Sequence, residues 1–274
     1  MYTLNCRGRL LAIQHPIVMG ILNITPDSFF EDSRIQTESD LIAKAGKMIE
    51  QGASILDIGG QSSRPGAEMI GKEEELKRVI PAIQLVKKHF SECFISIDTF
   101  YAEVAEIAVL AGADIVNDIS AGNNDDAMID TVAKLKVPYI AMHMRGTPKT
   151  MSEQTVYKDL IVELLDYFRE KIESCDKAGI TDLIIDPGFG FAKNTDQNFE
   201  LLNNLNAFHI LDKPLLVGIS RKSMIYKTLG VSPEEALNGT TVLNTIAIQK
   251  GASILRVHDV KEAMECIRLS NMLH

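Results

Sequence analysis

No C-x-x-C pair occurs among the 274 residues, and the four cysteines, Cys6, Cys93, Cys175 and Cys266, stand far apart. That spacing excludes a zinc knuckle or a dithiol redox motif and leaves four thiols expected to be reduced. No stretch reaches the ~20 apolar residues that cross a bilayer. Met1 to Pro16 also lacks the apolar centre of a secretory signal, so a soluble, cytoplasmic protein is expected. Basic residues are outnumbered 28 to 37, for a net charge of -9 and a pI near 5.2. This balance argues against nucleic acid or anionic membrane as a partner, and an anionic small substrate would need a local basic pocket. No G-x-G-x-x-G opens the first repeating unit, which weakens a dinucleotide fold. Nor is there a linker or low-complexity segment, so residues 1–274 are expected to form a single domain.

What is present is a series of short apolar runs. IVMGIL starts at Ile17, SILDIG at Ser54, FISID at Phe94, DIVND at Asp114, YIAM at Tyr139, DLIID at Asp182, PLLVG at Pro214 and SILRV at Ser253, eight in all. Runs that are apolar on both sides of the alternation fit parallel strands covered on both faces. Three are entered through a repeated connector, Gly52-Ala53-Ser54-Ile55, Gly112-Ala113-Asp114-Ile115 and Gly251-Ala252-Ser253-Ile254, where glycine suits a helix end that turns straight into a strand. Glu38 to Glu50, Glu73 to His89 and Tyr157 to Cys175 have helical length and charge patterning. Eight βα units meet the requirement of a (β/α)8 TIM barrel. An open doubly wound sheet would use the same units. Met1 to His15, ahead of the first strand, is expected to plug the barrel bottom.

Ligands gather at the carboxyl ends of parallel strands in either architecture. Those ends carry Asn23, Asp57, Asp98, Asn117, His143, Asp186, Ser220 with Lys222, and Arg256 with His258. A lone Asp or Asn after a strand is ordinarily a helix cap or turn residue, and Asp57 and Asn123 are assigned to that plain role. The joint pattern is different, because Asn23, Asp98, Asn117 and Asp186 from four strands would converge on one mouth. Asp98, Asn117 and Asp186 offer acceptors and amides suited to a flat heterocycle with adjacent N–H donors. Arg64, Lys222, Arg256 and His258 offer positive charge and donors suited to phosphate.

The stretches MGILNITPDSF from Met19, DIGGQSSRPGA from Asp57, SIDTF from Ser96, NDIS from Asn117, MHMRGTP from Met142, DPGFGFAK from Asp186, GISRKS from Gly218 and RVHDV from Arg256 occur in order at strand exits. Together they resemble the dihydropteroate synthase family along nearly the whole chain. The resemblance implies a TIM-barrel transferase of folate synthesis that joins p-aminobenzoate to 6-hydroxymethyl-dihydropterin pyrophosphate, with Mg2+ accompanying the diphosphate. It further implies that Asp98, Asn117 and Asp186 hold the pterin, with Lys222 bonding the ring and Arg256 stacking on it. Asn23, Arg64, Arg256 and His258 would grip the diphosphate, with Asn23 also facing the metal. Phe29, Ser63, Pro65, Phe191, Ser220 and Lys222 would line the p-aminobenzoate pocket, and a homodimer through Pro233 to Lys250 and Val260 to Met272 is expected.

An arylamine is a poor nucleophile, so the chemistry implied is ionisation of the C–O bond before attack, with Asp98, Arg64, Lys222, Arg256 and His258 as the catalytic group. One preorganised charge of this kind is worth ~3–4 kcal/mol. Arg221 is expected to point away from the site, into a salt bridge or solvent, and Ser223 suits either the site or a helix N-cap. The segments Thr25 to Thr37 and Gly59 to Gly71 are expected to close over the diphosphate. Three departures from the family pattern stand out: Phe30-Glu31-Asp32-Ser33-Arg34 replaces a glycine-containing loop, Ser63 stands where Thr is common, and Ala192 replaces a frequent Gly. The last is compatible with function if φ is negative there. Competing readings are a corrinoid-dependent methyltransferase with a similar pterin site, a lyase using Lys222 as a Schiff base, and a pterin-binding paralogue without turnover.

Overall fold

The computed structural model describes residues 1–24, 34–61 and 69–273. Phe29, Ser63, Arg64 and Pro65 lie outside them, as do most of the two segments expected to close over the site and most of the altered Phe30 loop.

Tyr2–Cys6 (β1) and Arg9–Ile13 (β2) form an antiparallel hairpin. Its two-residue turn is Arg7-Gly8, both at positive φ (57° and 86°), the conformation whose twist matches a hairpin. Eight parallel strands follow: Ile17–Asn23 (β3), Ile55–Gly59 (β4), Phe94–Asp98 (β5), Ile115–Asp118 (β6), Tyr139–Met142 (β7), Leu183–Asp186 (β8), Leu216–Val217 (β9) and Ile254–Val257 (β10). Their order in the sheet is β8-β7-β6-β5-β4-β3-β10-β9. A parallel bridge between Ile185 and Leu215, with Ile185 N–H donating to the Pro214 carbonyl at 3.0 Å, joins the two ends. The expected barrel is therefore present, and the open sheet is not.

The helices are Arg34–Glu50 (α1), Lys72–His89 (α2), Ala102–Ala111 (α3), Met128–Leu135 (α4), Leu160–Ala178 (α5), Thr195–Asn203 (α6), Ser223–Leu229 (α7), Leu237–Gln249 (α8) and Val260–Asn271 (α9). Gly52, Gly112 and Gly251 have φ of 106°, 128° and 94°, so the repeated connector uses glycine for the left-handed turn that ends a helix. Helix starts differ more. The first helix begins at Arg34, four residues before the expected Glu38. The fifth begins at Leu160 rather than Tyr157, because the Asp159 carboxylate caps it by accepting the Val162 N–H.

Strand alternation sorts the barrel interior into layers. Met19, Ile55, Ile115, Ile140, Ile184, Leu216 and Ile254 form an apolar bottom layer, and Leu4, Cys6, Leu11 and Ile13 from the hairpin pack into it. This is the expected plug. Polar anchors hold it: Arg9 reaches the buried Asp114 at 3.0 Å, beside Lys87 at 3.1 Å, and Asn5 N–H donates to Asp182 at 2.9 Å. Two residues further along four strands the inward position becomes polar, giving Asp57, Asn117, Asp186 and Arg256. Outward residues such as Leu56, Val116, Ile185 and Leu255 pack in the core between sheet and helices. None of the described helices is long and apolar enough to cross a membrane.

Candidate active site

Arg256 organises the upper barrel. Its Nε donates to Asp57 Oδ2 at 2.6 Å and its Nη2 to Asp98 Oδ2 at 2.6 Å, while Asn117 Nδ2 donates to the same Asp57 oxygen at 3.1 Å. Asp57 is fully buried within β4, so it is not the helix cap or turn residue expected from sequence. Its signal was available: Ile55-Leu56-Asp57 repeats the spacing of Ile115-Val116-Asn117, Ile184-Ile185-Asp186 and Ile254-Leu255-Arg256. Each isoleucine feeds the bottom layer and each polar residue stands two positions above it. Asn123, by contrast, keeps its turn role, closing a turn onto the Ser120 carbonyl and meeting Tyr167 and Lys171 of α5.

Burial raises the Asp98 carboxyl to about 7, with Arg256 pulling it down and Asp57, Asp118 and Asp186 pushing it up. Burial works against the Arg256 guanidinium, but Asp57 and Asp98 more than offset it and raise its pKa. Asp186 is also raised by burial, against the pull of Lys222, and accepts the Gly188 N–H at 2.8 Å.

Lys222, at the N-cap of α7, donates its Nζ to the Phe189 carbonyl and lies 4.6 Å from the centroid of the Phe191 ring. Burial lowers its ammonium to about 8 despite Asp186. A Cβ on Gly190 would stand 3.1 Å from Lys222 Cδ, so the lysine needs the bare backbone on that side. Between these groups lies a narrow cavity. Asn117, Asp186, Lys222 and Arg256 supply its polar lining, and Ile119, Met142 and Phe191 its apolar lining. Asp98 adjoins it through Arg256. The five residues expected to hold a heterocycle are thus brought together.

The segment after β8 is stapled from within. Lys193, a residue without an assigned role in the sequence, is buried and points its Nζ at His143 Nδ1 (3.0 Å), the Gly188 carbonyl (3.0 Å) and the Phe191 carbonyl (3.1 Å). Burial lowers its pKa to about 7 and drives that of His143 well below its usual value, so His143 is neutral and accepts. Ala192, just before Lys193, has a positive φ of 50°, so the condition of a negative φ is not met there. Alanine holds this left-handed conformation at a cost of ~1–2 kcal/mol, and the Tyr157 hydroxyl donates to its carbonyl at 2.8 Å.

The remaining predicted residues are placed as follows. Asn23 ends β3, exposed, in register with Gly59. Ser220 is buried and faces His258 Nδ1 at 3.0 Å. Arg221 turns outward into a two-pronged salt bridge with Asp259 at 2.8 and 2.9 Å, one of the two positions expected for it. Ser223 is the first residue of α7, so the N-cap position belongs to Lys222 and not to the serine. Among the described residues no group of three His, Cys, Asp or Glu side chains is arranged to hold a metal ion.

The model of a family described as pterin-binding enzymes matches residues 19–258. Dihydropteroate synthase of Escherichia coli K12 is 46% identical over 265 residues, covering 96% of this chain and 93% of the relative. A crystal structure of Yersinia pestis dihydropteroate synthase with a sulfonamide drug complex superposes with a TM-score of 0.93 at 39% identity, covering 99% of both chains. The Xanthomonas albilineans dihydropteroate synthase solved with 4-aminobenzoic acid gives a TM-score of 0.91 at 40% identity, covering 99% of this chain and 97% of that one.

Proposed function

The chain belongs to the pterin-binding enzyme family and acts as a dihydropteroate synthase of folate biosynthesis, and from that premise we propose how its residues carry the reaction. The substrates are 6-hydroxymethyl-7,8-dihydropterin pyrophosphate and p-aminobenzoate, and the products 7,8-dihydropteroate and pyrophosphate. The observation that carries this reading is the cavity where Asn117, Asp186 and Lys222 meet an Arg256 held between two carboxylates.

In this reading Asn117 and Asp186 bond the aminopyrimidinone edge of the pterin, Lys222 bonds the ring, and Arg256 lies against its face. The C–O bond ionises first and leaves a cation at the exocyclic carbon, delocalised into the electron-rich ring. Asp98 is the charge we assign to stabilising that cation, and its carboxylate is preorganised by Arg256 before substrate arrives. Arg64, Arg256 and His258 take the diphosphate. Phe29, Ser63, Pro65, Phe191, Ser220 and Lys222 line the arylamine side, and the nucleophile needs no strong base because the cation is already formed.

The donor set fits a Mg2+ ion carried in on the diphosphate. Asn23 offers one hard amide oxygen at the exposed end of β3, and magnesium commonly keeps waters and phosphate oxygens beside one or two protein ligands. When bound, it supplies charge neutralisation on the departing diphosphate. The four cysteines are free and buried, in keeping with the proposed cytoplasmic location.

Pyrophosphate release by the purified protein, with the pterin diphosphate and magnesium, with and without p-aminobenzoate, tests the proposal. Dihydropteroate formed in step with pyrophosphate is the expected result. Pterin binding without coupled product would overturn it, and a requirement for added cobalamin would move the chain to methyl transfer.

A further inference from the structure

Two polar atoms beneath the site are fully enclosed and lack a partner. Asp57 Oδ2 accepts from both Arg256 and Asn117, but Asp57 Oδ1 meets no donor, and the Ser96 hydroxyl likewise bonds to nothing among the described residues. Both side chains are 0% exposed. A carboxylate with one bare oxygen and a hydroxyl with an unused proton are each costly away from water.

The fold places these two groups next to each other. Asp57 of β4 and Ser96 of β5 are partners in the parallel ladder, as are Ile55 with Phe94 below them and Gly59 with Asp98 above. Asp57 faces the barrel interior, where it meets Arg256. Ser96 faces the same way, because its neighbours Ile95 and Ile97 pack into the outer core and Asp98, two positions on, also reaches Arg256. Ile55 and Phe94 belong to the apolar bottom layer, which closes the space from below. Above, a Cβ on Gly59 would stand 3.3 Å from Asp98 Cβ, so Asp98 leans close over the glycine. Registered partners on neighbouring strands stand ~4.8 Å apart. One water making two hydrogen bonds of ~2.8 Å spans up to ~5.5 Å, enough to link the two groups. It suits both ends, since it donates to the carboxylate and accepts from the hydroxyl.

We infer that Ser96 is a positioning residue: its hydroxyl and Asp57 Oδ1 share one enclosed water, which completes the hydrogen bonds of the carboxylate and holds it against Arg256 and Asn117. Ser96 does not reach a substrate, and its effect on turnover passes through Asp57. The catalytic consequence rests on the synthase reading given above; the water site does not.

A high-resolution crystal structure of the unliganded protein and a double-mutant cycle test the inference together. A water peak between Ser96 Oγ and Asp57 Oδ1 in the wild type, absent in Ser96→Ala, is expected. A direct bond between the two side chains, or no density between them, would overturn the water site. In turnover Ser96→Ala should lower kcat about tenfold, and in an Asp57→Asn background the same change should have almost no further effect, because both act through one carboxylate. Ser96→Cys, of similar volume but a weaker donor, gives the same comparison if Ser96→Ala does not fold. An unchanged kcat in the Ser96 variants, or an equal loss in both backgrounds, would overturn the positioning role. The expected water in a protein that makes no dihydropteroate would support the site and sink the synthase reading.

Discussion

Arg256 has two counterions, and their positions give each a separate job. Asp98, at the end of β5, is 12% exposed, while Asp57, one pleat lower, is completely enclosed and also holds Asn117. Asp57 thus positions two groups without reaching a substrate itself. Asp57→Asn preserves shape and removes one negative charge, and two effects are expected. Arg256 and Asn117 lose their common acceptor, lowering kcat by about 10- to 100-fold. Asp98 loses a neighbour that raises its pKa, so the acid limb of the pH–rate profile, expected near 7 in the wild type, shifts downward. A profile of kcat against pH for both proteins checks this, and an unmoved limb would show that Asp98 does not set it. At this scale the sequence reveals most of the site through the residue type at each strand end. Asp57 is hidden because an aspartate before Ile-Gly-Gly reads equally well as a turn. The φ of Ala192 is hidden too, because it depends on how the Lys193 staple folds its own loop back, and no residue type announces that.

The segment from Asp186 to Lys193 behaves as one element although it has no regular structure. Gly188, Gly190 and Ala192 all sit at positive φ (73°, 79° and 50°), a run that its own backbone preferences would not hold. The three acceptors around Lys193 Nζ supply the constraint, and the Gly190 N–H adds a bond to Asn198 of α6 at 2.6 Å. Lys193→Met keeps the volume of the side chain and removes every donor. Three buried acceptors then lose their partner at roughly 1–3 kcal/mol for each left unsatisfied, so a loss of about 3 kcal/mol in denaturant unfolding is expected after partial relaxation. Because the same loop presents the Phe189 carbonyl to Lys222, activity should fall further than stability alone requires, with both measured well below the melting temperature. Lys193→Arg retaining full stability would show that charge, and not the threefold geometry, is what the loop needs. Strands, the plug and glycine-ended helices are legible in the chain because they follow periodicities of two and 3.6. This loop is not, since its order arises from a side chain meeting backbone carbonyls two and five residues away.

Across the whole molecule, buried ionisable groups and one bare surface dominate. Burial raises Asp98 to about 7 and Glu75 to about 8, the latter against a hydrogen bond that Gln61 donates at 3.0 Å. Each carboxyl contributes stability that is fully present below its unfolded pKa near 4 and is lost as pH rises through the folded value. Lys193 and Lys222, lowered to about 7 and about 8, work in the opposite sense: their contribution is present above the unfolded value near 10.4 and lost as pH falls through the folded one. Thermal stability of the unliganded protein is therefore expected to decline from pH 5 to about 7.5. Glu75→Gln should remove part of that slope, by up to about 1.4 kcal/mol per pH unit; an unchanged slope in calorimetry would mean Glu75 titrates normally. The bare surface lies on α8 and α9. Leu237–Gln249 contains no charged residue, Val242 is 50% exposed, and on and after α9 Leu269, Met272 and Leu273 are 72%, 82% and 70% exposed. Helices around a barrel ordinarily turn charged faces to water, so the uncharged α8, with the exposed apolar residues at the end of α9 beside it, is where a second copy of the chain is expected to dock. Sedimentation should give twice the 30.3 kDa chain mass, and Val242→Glu with Leu269→Glu should give the single mass while the barrel still melts cooperatively. A dimer that survives both charges has its interface elsewhere, whereas a wild-type monomer would mean that this face meets a different partner or none.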